Sequence, residues 1–352
     1  MIIFKNADIN GVITDIEVDD GRFVRIGKTD KDGIDLGGNS VFPGLVDIHC
    51  HGCMGYDTMD GIYLNEMSEY QALNGVTSWF PTTMTMDYES IKRVVSIDIN
   101  KIKGANVLGF HLEGPYIAPE FKGAQNGEFI RNPDMEEYRK WDNARLVTIA
   151  PELCGATEFI KECDGVVCIG HTGAEYETAS AAIQAGANCL THTFNAMPPL
   201  HHRNPGVIGA AIDNDAYVQV ICDGIHIHKS VITALYRIFG KKMILISDSM
   251  RAAGMPDGEY ELGGQQMTVE NGIAKTPDGA IAGSTFNLFK CVRKAIEFGI
   301  AREDAFYMAS TAPSELMGIN KGKIKEGFDA DFIVVDKDNN LLKTIIGGNE
   351  IK

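Results

Sequence analysis

Short apolar runs alternate with amphipathic stretches along most of the chain. Eight such runs lie between residues 44 and 250, from GLVDIHCHG to KMILISDSM. Most are separated by a stretch of helical periodicity that ends in glycine, such as YLNEMSEYQALNG, and a further amphipathic helix, STFNLFKCVRKAIEFG, follows the eighth run. Eight strands that alternate with helices over about 250 residues predict a (β/α)8 barrel.

A doubly wound open sheet is the alternative architecture for an alternating α/β pattern. No G-x-G-x-x-G follows the first predicted strand, and eight units are the number that closes a barrel. The sequence therefore favours an α/β fold built on a TIM-type barrel.

Both ends of the chain have β-type patterns instead. Asn10-Gly11 and Asp20-Gly21 stand between alternating segments and predict hairpin turns, and GKIKEGFDADFIVVDKDNNLLKTIIGG closes the chain with a second β-like block. We expect residues 1–43 plus 321–352 to form one small β-sandwich domain, and residues 44–320 to form the barrel.

Two segments interrupt the alternation within the barrel. YIAPEFKGAQNGEFIRNPD, after the third strand, is a long loop of the kind that often has a function. Near residues 258–283, Asn271-Gly272 and Asp278-Gly279 predict a β-hairpin insertion.

Histidines and carboxylates cluster at the C-terminal ends of the predicted barrel strands, where barrel enzymes have their active sites. All nine histidines fall between residues 49 and 228, and none lies in a helical stretch. His49 and His51 are two residues apart in a strand and should point the same way. The residues at or just past the strand ends are His49, His51, His111, Glu113, His171, His192, Asp223, His226 and Asp248.

This set has the ligand chemistry of a catalytic divalent-metal site, although any one histidine alone could be satisfied by hydrogen bonds. An open metal site lowers the pKa of bound water to about 7, and a nearby carboxylate can take the proton and pass it to a leaving amine. Asp248, the acid that ends the eighth run, is the candidate for that role, with metal ligation as its alternative.

Composition excludes several classes of function. The net charge of −16 over 352 residues argues against nucleic acid as a partner. No run of eighteen apolar residues and no signal-peptide pattern occur, so we expect no membrane span and a cytoplasmic location. The eight cysteines are interpreted as small structural hydrophobes and not as a disulfide framework.

One cationic cluster stands out against this acidic background. FNAMPPLHHRNPGVIGA places His201, His202 and Arg203 together in a Pro/Gly-rich loop. Arginine matches phosphate oxygens with a rigid fork of donors, so the loop could bind a small phosphorylated substrate; a solvated loop charge is the alternative.

Several motifs resemble those of N-acetylglucosamine-6-phosphate deacetylases of the amidohydrolase superfamily. The stretches are PGLVDIHCHG, FHLEGPYIAPEFKGAQN, IGHTGA, THTFNAMPPLHHRNPGVIG, ICDGIHIH, ISDSMRAAGMPDGEYELGG and DGAIAGS. They span nearly the whole chain; HLEGP with FNAMPPLHHR is specific, whereas DIHCHG is general to the superfamily. The resemblance implies hydrolysis of N-acetyl-D-glucosamine 6-phosphate to D-glucosamine 6-phosphate and acetate, in amino-sugar catabolism or recycling.

The resemblance also implies roles for individual residues. Glu113, His171 and His192 would hold the primary metal, and Asp248 would be the general base and acid. His49 and His51, which some members lack, would allow a second ion, so that each subunit holds one or two divalent ions, with zinc or iron ahead of manganese or cobalt. Substrate contacts are implied at Gln125, Asn195, Ala196, Arg203, His226 and Ala282.

In the family, the arginine that pairs with phosphate reaches in from a neighbouring subunit, so a homodimer is implied with Arg203 in that role. Three alternatives stay open: deacetylation of N-acetylgalactosamine 6-phosphate, another amidohydrolase reaction such as cyclic-amide hydrolysis or amino-acid deacylation, and a barrel that binds a sugar phosphate without hydrolysing it.

Gln125 gives a first testable prediction. It stands twelve residues after Glu113, where some members of the family have a histidine that polarises the acetyl carbonyl. A glutamine amide can donate a hydrogen bond there without a charge. We expect Gln125→Ala to lower turnover and leave metal content intact, as measured by acetate release and elemental analysis; equal loss of both would contradict this role.

Overall fold

A computed structural model describes residues 1–277 and 279–352. Eight parallel strands form its centre, each hydrogen-bonded to the next in chain order, and Cys50 pairs with Ser249 just past the last strand to close the ring. This confirms the (β/α)8 barrel expected from the sequence. The barrel strands are β1 (Leu45–Cys50), β2 (Val76–Thr83), β3 (Phe110–Glu113), β4 (Ala144–Ile149), β5 (Val166–Ile169), β6 (Cys189–Leu190), β7 (Tyr217–Ile221) and β8 (Met243–Ile246).

A helix follows each barrel strand, as the alternating pattern predicted. The helices are α1 (Leu64–Leu73), α2 (Tyr88–Val95), α3 (Met135–Tyr138), α4 (Ala156–Glu162), α5 (Tyr176–Ala185), α6 (Gly206–Asp213), α7 (Lys229–Phe239), α8 (Leu288–Glu297), α9 (Arg302–Ala309) and α10 (Thr311–Met317). Side-chain caps define some of their starts: the Asp87 carboxylate accepts from the Ser90 N–H at 3.0 Å at the start of α2. None of the helices in the described part of the chain is long and apolar enough to cross a membrane.

The barrel strands are buried on both faces because both faces are covered. Every residue of β1 and β2 is buried, as expected for parallel strands between an interior core and an outer layer of helices. Val46, Ile48 and Phe80 belong to the interior cluster. The helices pack on the outside, where α8 buries Leu288, Phe289, Cys291, Val292 and Ala295 on one face.

Shorter elements connect these units. Asn106–Val107 adds a strand beside β2, and Gly52–Cys53 pairs with Tyr56–Asp57 just after β1. Short 3-10 helices lie at Thr58–Asp60, Ile99–Lys101, Pro119–Phe121, Gly127–Phe129 and Gly240–Lys242.

The two ends of the chain form one eight-stranded sheet. Its strands are Ile2–Ile9, Val12–Asp19, Arg22–Ile26, Ile34–Asp35, Ser40–Pro43, Phe332–Val335, Leu341–Ile346 and Asn349–Glu350. The sheet folds over its own core, because the Phe23 N–H donates to the Phe328 carbonyl at 2.9 Å and the Ala330 N–H donates to the Gly21 carbonyl at 2.7 Å. This bears out the small β-sandwich built from both termini; the exact domain boundaries stay a prediction.

The hairpin turns of this sheet are confirmed at both predicted positions. Asn10-Gly11 connects Ile9 to Val12, and Asp20-Gly21 connects Asp19 to Arg22. All four turn residues have positive φ, between 46° and 81°, which is the conformation of a type I′ turn and explains the choice of Asn, Asp and Gly.

The insertion after β8 has three strands and not the two of a hairpin. Gly258–Leu262, Gln265–Glu270 and Ile273–Lys275 form an antiparallel sheet. The predicted turn at Asn271-Gly272 forms, and a second turn at Gly263-Gly264, also with positive φ at both residues, accounts for the extra strand. The other predicted turn includes Asp278, which lies outside the described residues.

Phe332 tests the packing of the terminal sheet. Its buried ring meets Phe4 edge-on with centroids 5.0 Å apart, so Phe332→Ala should lower the free energy of unfolding by about 3–5 kcal/mol. Val24→Ala is the control, because Val24 is 46% exposed on the same sheet and should change stability by less than about 0.5 kcal/mol. Denaturant unfolding measures both; equal losses would contradict the packing described.

Candidate metal centre and active site

The carboxylate of Glu113, at the end of β3, is the centre of the polar cluster in the barrel mouth. Its Oε1 lies 3.2 Å from His171 Nε2 and 2.9 Å from His192 Nε2. The two imidazole nitrogens are only 3.0 Å apart. Three residues from β3 and from the turns after β5 and β6 therefore converge on one point.

His49 and His51 meet the same carboxylate from β1. Their Nε2 atoms lie 3.2 Å apart, as expected for residues on one face of a strand. His49 Nε2 is 3.2 Å from Glu113 Oε1, and His51 Nε2 is 3.0 Å from Glu113 Oε2. Glu113 thus has two imidazoles on each side, and the ligand atoms of each group, His49–His51–Glu113 and Glu113–His171–His192, lie within 4.8 Å of one another.

Hydrogen bonds at the far ring nitrogens show which atoms can bind a cation. His171 Nδ1 is 2.8 Å from the Phe121 carbonyl, and His192 Nδ1 is 3.2 Å from the Asn195 carbonyl. A carbonyl oxygen only accepts, so each Nδ1 must hold its proton, and in the neutral imidazole, the form that binds a metal, each Nε2 presents a lone pair. Two lone pairs 3.0 Å apart beside a carboxylate need a cation among them, and this donor set fits a divalent metal ion.

The charge state of Glu113 agrees with ligation. Burial favours the neutral acid, but the positive charge that the His49, His171 and His51 imidazoles carry when they are protonated outweighs it and holds the pKa of Glu113 well below its usual range. The carboxylate is therefore ionised at neutral pH.

His111 is not part of the metal cluster, although the sequence grouped it with the other strand ends. It lies one layer deeper in the barrel, with Nε2 2.8 Å from Thr148 Oγ1. Burial lowers the pKa of His111 well below its usual value, so this imidazole is neutral and satisfied by hydroxyl groups.

Asp248 lies at the rim of the cluster, two residues past β8. Its Oδ1 is 3.3 Å from His49 Nε2 and 3.5 Å from His51 Nε2. Its main chain is fixed on both sides, because its N–H donates to the His49 carbonyl at 2.9 Å and its carbonyl accepts from the Ser284 N–H at 2.8 Å. A carboxylate so placed can take a proton from metal-bound water or bind the metal itself.

Three of these residues have strained backbones. His171, His192 and Asp248 have φ of 47°, 24° and 45°, a region that costs a non-glycine residue about 1–3 kcal/mol. Each residue follows the end of a barrel strand and turns the chain there. Strain of this kind persists where the surrounding structure holds a side chain in place, and nothing in the local sequence signals it.

A cavity of about 440 Å³ opens above the cluster. One part of its lining is apolar, with Met84, Leu262 and Ile281. The sequence-predicted substrate contacts in the lining are Gln125, Asn195, Ala196, His226 and Ala282.

His226 is oriented by a carboxylate from the same loop. His226 Nδ1 lies 2.6 Å from Asp223 Oδ2, and Asp223 Oδ1 accepts the N–H groups of Ile225 and His226 at 2.8 and 3.0 Å. Burial disfavours the imidazolium, but the bond to Asp223 outweighs it and raises the pKa of His226. The pair therefore favours a positive charge in the lining of the cavity.

Arg203 is not brought to the cavity within this chain. It lies on an exposed loop, with Nη1 2.7 Å from His202 Nε2. The cationic cluster of His201, His202 and Arg203 thus faces outward from the subunit.

Gln125 makes contacts that the sequence did not reveal. Its Nε2 donates to Glu113 Oε2 at 2.6 Å, and its Oε1 accepts from the Thr85 N–H at 2.7 Å. This contact corrects the expectation that Gln125→Ala leaves metal content intact. Because the amide holds one oxygen of Glu113, the candidate metal ligand, the substitution is now expected to weaken metal binding as well as turnover.

Gln219, in β7, was missed from the sequence. Its Oε1 lies 3.1 Å from His49 Nδ1, and its side chain is fully buried. The available signal was a lone amide within the apolar run AYVQVICDG, since a buried amide requires hydrogen-bond partners.

With this geometry established, comparison with known proteins identifies the family. The amidohydrolase family pattern matches residues 40–351. The chain belongs to the amidohydrolase family.

Several relatives of this amidohydrolase are named as deacetylases of 6-phosphorylated amino sugars. An N-acetylglucosamine-6-phosphate deacetylase of Vibrio furnissii is 39% identical over 97% of this chain and 89% of its own. An N-acetylgalactosamine-6-phosphate deacetylase of Escherichia coli O157:H7 is 34% identical over 93% and 89%. A mutant of the Mycobacterium smegmatis N-acetyl-D-glucosamine-6-phosphate deacetylase, solved in complex with N-acetyl-D-glucosamine-6-phosphate, superposes with a TM-score of 0.93 at 29% identity over 99% of each chain. The resemblance drawn from the motifs is confirmed.

His171→Ala tests the metal centre. Losing a residue that only hydrogen-bonds to a metal ligand typically weakens metal binding about 10–100-fold. Removing one ligand nitrogen from the Glu113–His171–His192 group should weaken metal binding at least as much. Elemental analysis of protein purified without chelator measures the ions per chain. His201→Ala is the control, since His201 lies in the exposed loop; a His171→Ala protein with wild-type metal content would contradict the assignment.

Proposed function

We propose that this amidohydrolase is a metal-dependent deacetylase that hydrolyses N-acetyl-D-glucosamine 6-phosphate to D-glucosamine 6-phosphate and acetate in amino-sugar catabolism or recycling. The observation that carries the proposal is the convergence of Glu113, His171, His192 and Asp248 beside one cavity. The names of a relative at 39% identity and of a solved structure at 29% identity support the choice of substrate.

In the proposed mechanism, Glu113, His171 and His192 would hold the primary ion, and His49 and His51 would allow a second one. When bound, a divalent ion activates water and polarises the acetyl carbonyl. The Asp248 carboxylate accepts the proton of the attacking water and returns it to the sugar nitrogen as the carbon–nitrogen bond breaks. Zinc and iron are our first choices for the metal and manganese and cobalt the alternatives, because imidazole and carboxylate ligands suit all four.

The phosphate end of the substrate needs positive charge in an acidic protein. We propose that His226, charged through Asp223, and the amide groups of Asn195 and Ala196 contact the sugar phosphate, together with the Ala282 main chain. We further propose a homodimer in which Arg203 of one subunit reaches the cavity of the other; its outward position on an exposed loop supports this arrangement. The cytoplasmic location expected from the sequence stays a prediction.

The galacto epimer is the second candidate substrate, since a relative of 34% identity is named for it. Comparing kcat/KM on the two 6-phosphorylated sugars decides between them. Much lower activity on unphosphorylated N-acetylglucosamine than on the 6-phosphate would distinguish the proposed reaction from other amide hydrolyses. Acetate release with added metal would exclude a barrel that binds the sugar phosphate without hydrolysing it.

Asp248→Asn tests the proposed proton transfer. The amide cannot accept the proton of the attacking water, so acetate release should fall about 10²–10⁴-fold while metal content stays near that of the wild type. Asp215→Asn is the control, because the Asp215 side chain is 85% exposed on the surface. Retained turnover would rule out Asp248 as the base, and loss of metal together with turnover would make it a ligand.

A further inference from the structure

Gln219 occupies an unusual position for an amide. It lies in the middle of β7 (Tyr217–Ile221), between Val218 and Val220 in the sequence, and its side chain is fully buried. Burying a carboxamide without partners costs several kcal/mol in an apolar environment. The amide must therefore be satisfied inside the barrel, and its partners indicate what it does.

Both ends of the amide have a partner. Gln219 Oε1 lies 3.1 Å from His49 Nδ1, and Gln219 Nε2 donates to Cys168 Sγ at 3.6 Å. In this orientation the NH2 group donates to the sulfur and the carbonyl oxygen faces His49.

The orientation of the amide decides which nitrogen of His49 holds the proton. A carbonyl oxygen facing Nδ1 keeps the proton of the neutral imidazole there, and this leaves a lone pair on Nε2, the nitrogen that lies 3.2 Å from Glu113 Oε1. The reversed amide would donate to Nδ1 and force the proton onto Nε2, where it would block metal binding.

His49 differs in this respect from the histidines on the other side of Glu113. His171 and His192 are oriented by the main-chain carbonyls of Phe121 and Asn195, whereas His49 depends on a side chain. The His51 Nδ1 has no hydrogen-bond partner in the described structure. Within the described residues, the bond from Gln219 to His49 is therefore the one hydrogen bond to an Nδ1 atom of the His49–His51 pair.

We propose that Gln219 is a positioning residue that holds His49 as an Nε2 ligand and so controls occupancy of the second ion position without affecting the first. The inference rests on the metal centre of the proposed function but does not depend on the identity of the substrate.

The test is a Zn²⁺ titration of the full-length, metal-depleted protein against a chromophoric chelator, which resolves the affinity of each ion. In Gln219→Met the amide is replaced by a side chain of similar length with no oxygen acceptor, and the affinity for the second ion should fall about 10–100-fold while that for the first changes less than about twofold. Gln219→Glu keeps an oxygen acceptor for Nδ1–H and should retain both ions.

Gln71→Met is a matched control. Gln71 is equally buried and also donates to a cysteine sulfur, Cys50 Sγ at 3.1 Å, but it bonds to no histidine within the described residues. It should bind both ions with wild-type affinity. The visible spectrum of the Co²⁺-loaded proteins provides an independent readout, because Gln219→Met should lose the absorption of one ion only.

Three results would overturn the inference: wild-type affinities in Gln219→Met, equal weakening of both ions, or the same selective loss in Gln71→Met. If Gln219→Met does not fold, ¹⁵N NMR of the Zn²⁺-loaded wild type supports the inference when His49 holds its proton on Nδ1, and any other state of His49 overturns it. Acetate release by the wild type is measured separately, so a failure of the proposed function is distinguished from a failure of this inference.

Discussion

The buried carboxylate of Glu113 is the interaction on which the rest of the site depends. An ionised acid removed from water costs several kcal/mol unless opposite charge and hydrogen bonds replace the lost hydration. Here the Gln125 amide, from the long loop after β3, donates one hydrogen bond to Glu113. Four imidazoles also reach the carboxylate, from β1 and from the turns after β5 and β6. With the protons of His171 and His192 on the far nitrogens, the near nitrogens lie 3.0 Å apart and repel one another and the carboxylate unless a cation lies among them.

Closure of the barrel makes this convergence possible. Cys50 pairs with Ser249, and the Asp248 N–H bonds to the His49 carbonyl at 2.9 Å, so the first and last strands are held in register although they lie far apart in sequence. That register places Asp248 over the two histidines of β1. The positive φ of Asp248, His171 and His192 is tolerated because the large cores inside and outside the barrel fix the strands on which these turns stand.

The sequence predicted what depends on periodicity and strand ends, and little of what depends on packing. Alternating runs indicated the barrel, and the i, i+2 spacing of His49 and His51 indicated a shared face. Spacing could not show that His111, on the same face as Glu113, lies too deep in the barrel to join the metal cluster. Depth depends on the tilt and stagger of neighbouring strands. The contact of Gln125 with Glu113 was hidden for a similar reason, since the long loop after β3 has no period from which its return to the site could be read. The extra strand of the insertion was missed because Gly263-Gly264 was not recognised as a turn.

The charge distribution explains how an acidic chain could bind a phosphorylated substrate. A net charge of −16 repels an anion at long range, but charges at the surface are screened beyond about 8–10 Å at physiological salt. Inside the cavity the local groups decide the sign of the potential. Asp223, although itself acidic, favours a positive charge on His226 by bonding to its Nδ1, so the carboxylate is neutralised by its own partner while the imidazolium edge faces the cavity. One such pair gives only a weak anion site, so we expect a further cation from outside the subunit. The outward-facing Arg203 loop is a cationic segment whose position fits that role.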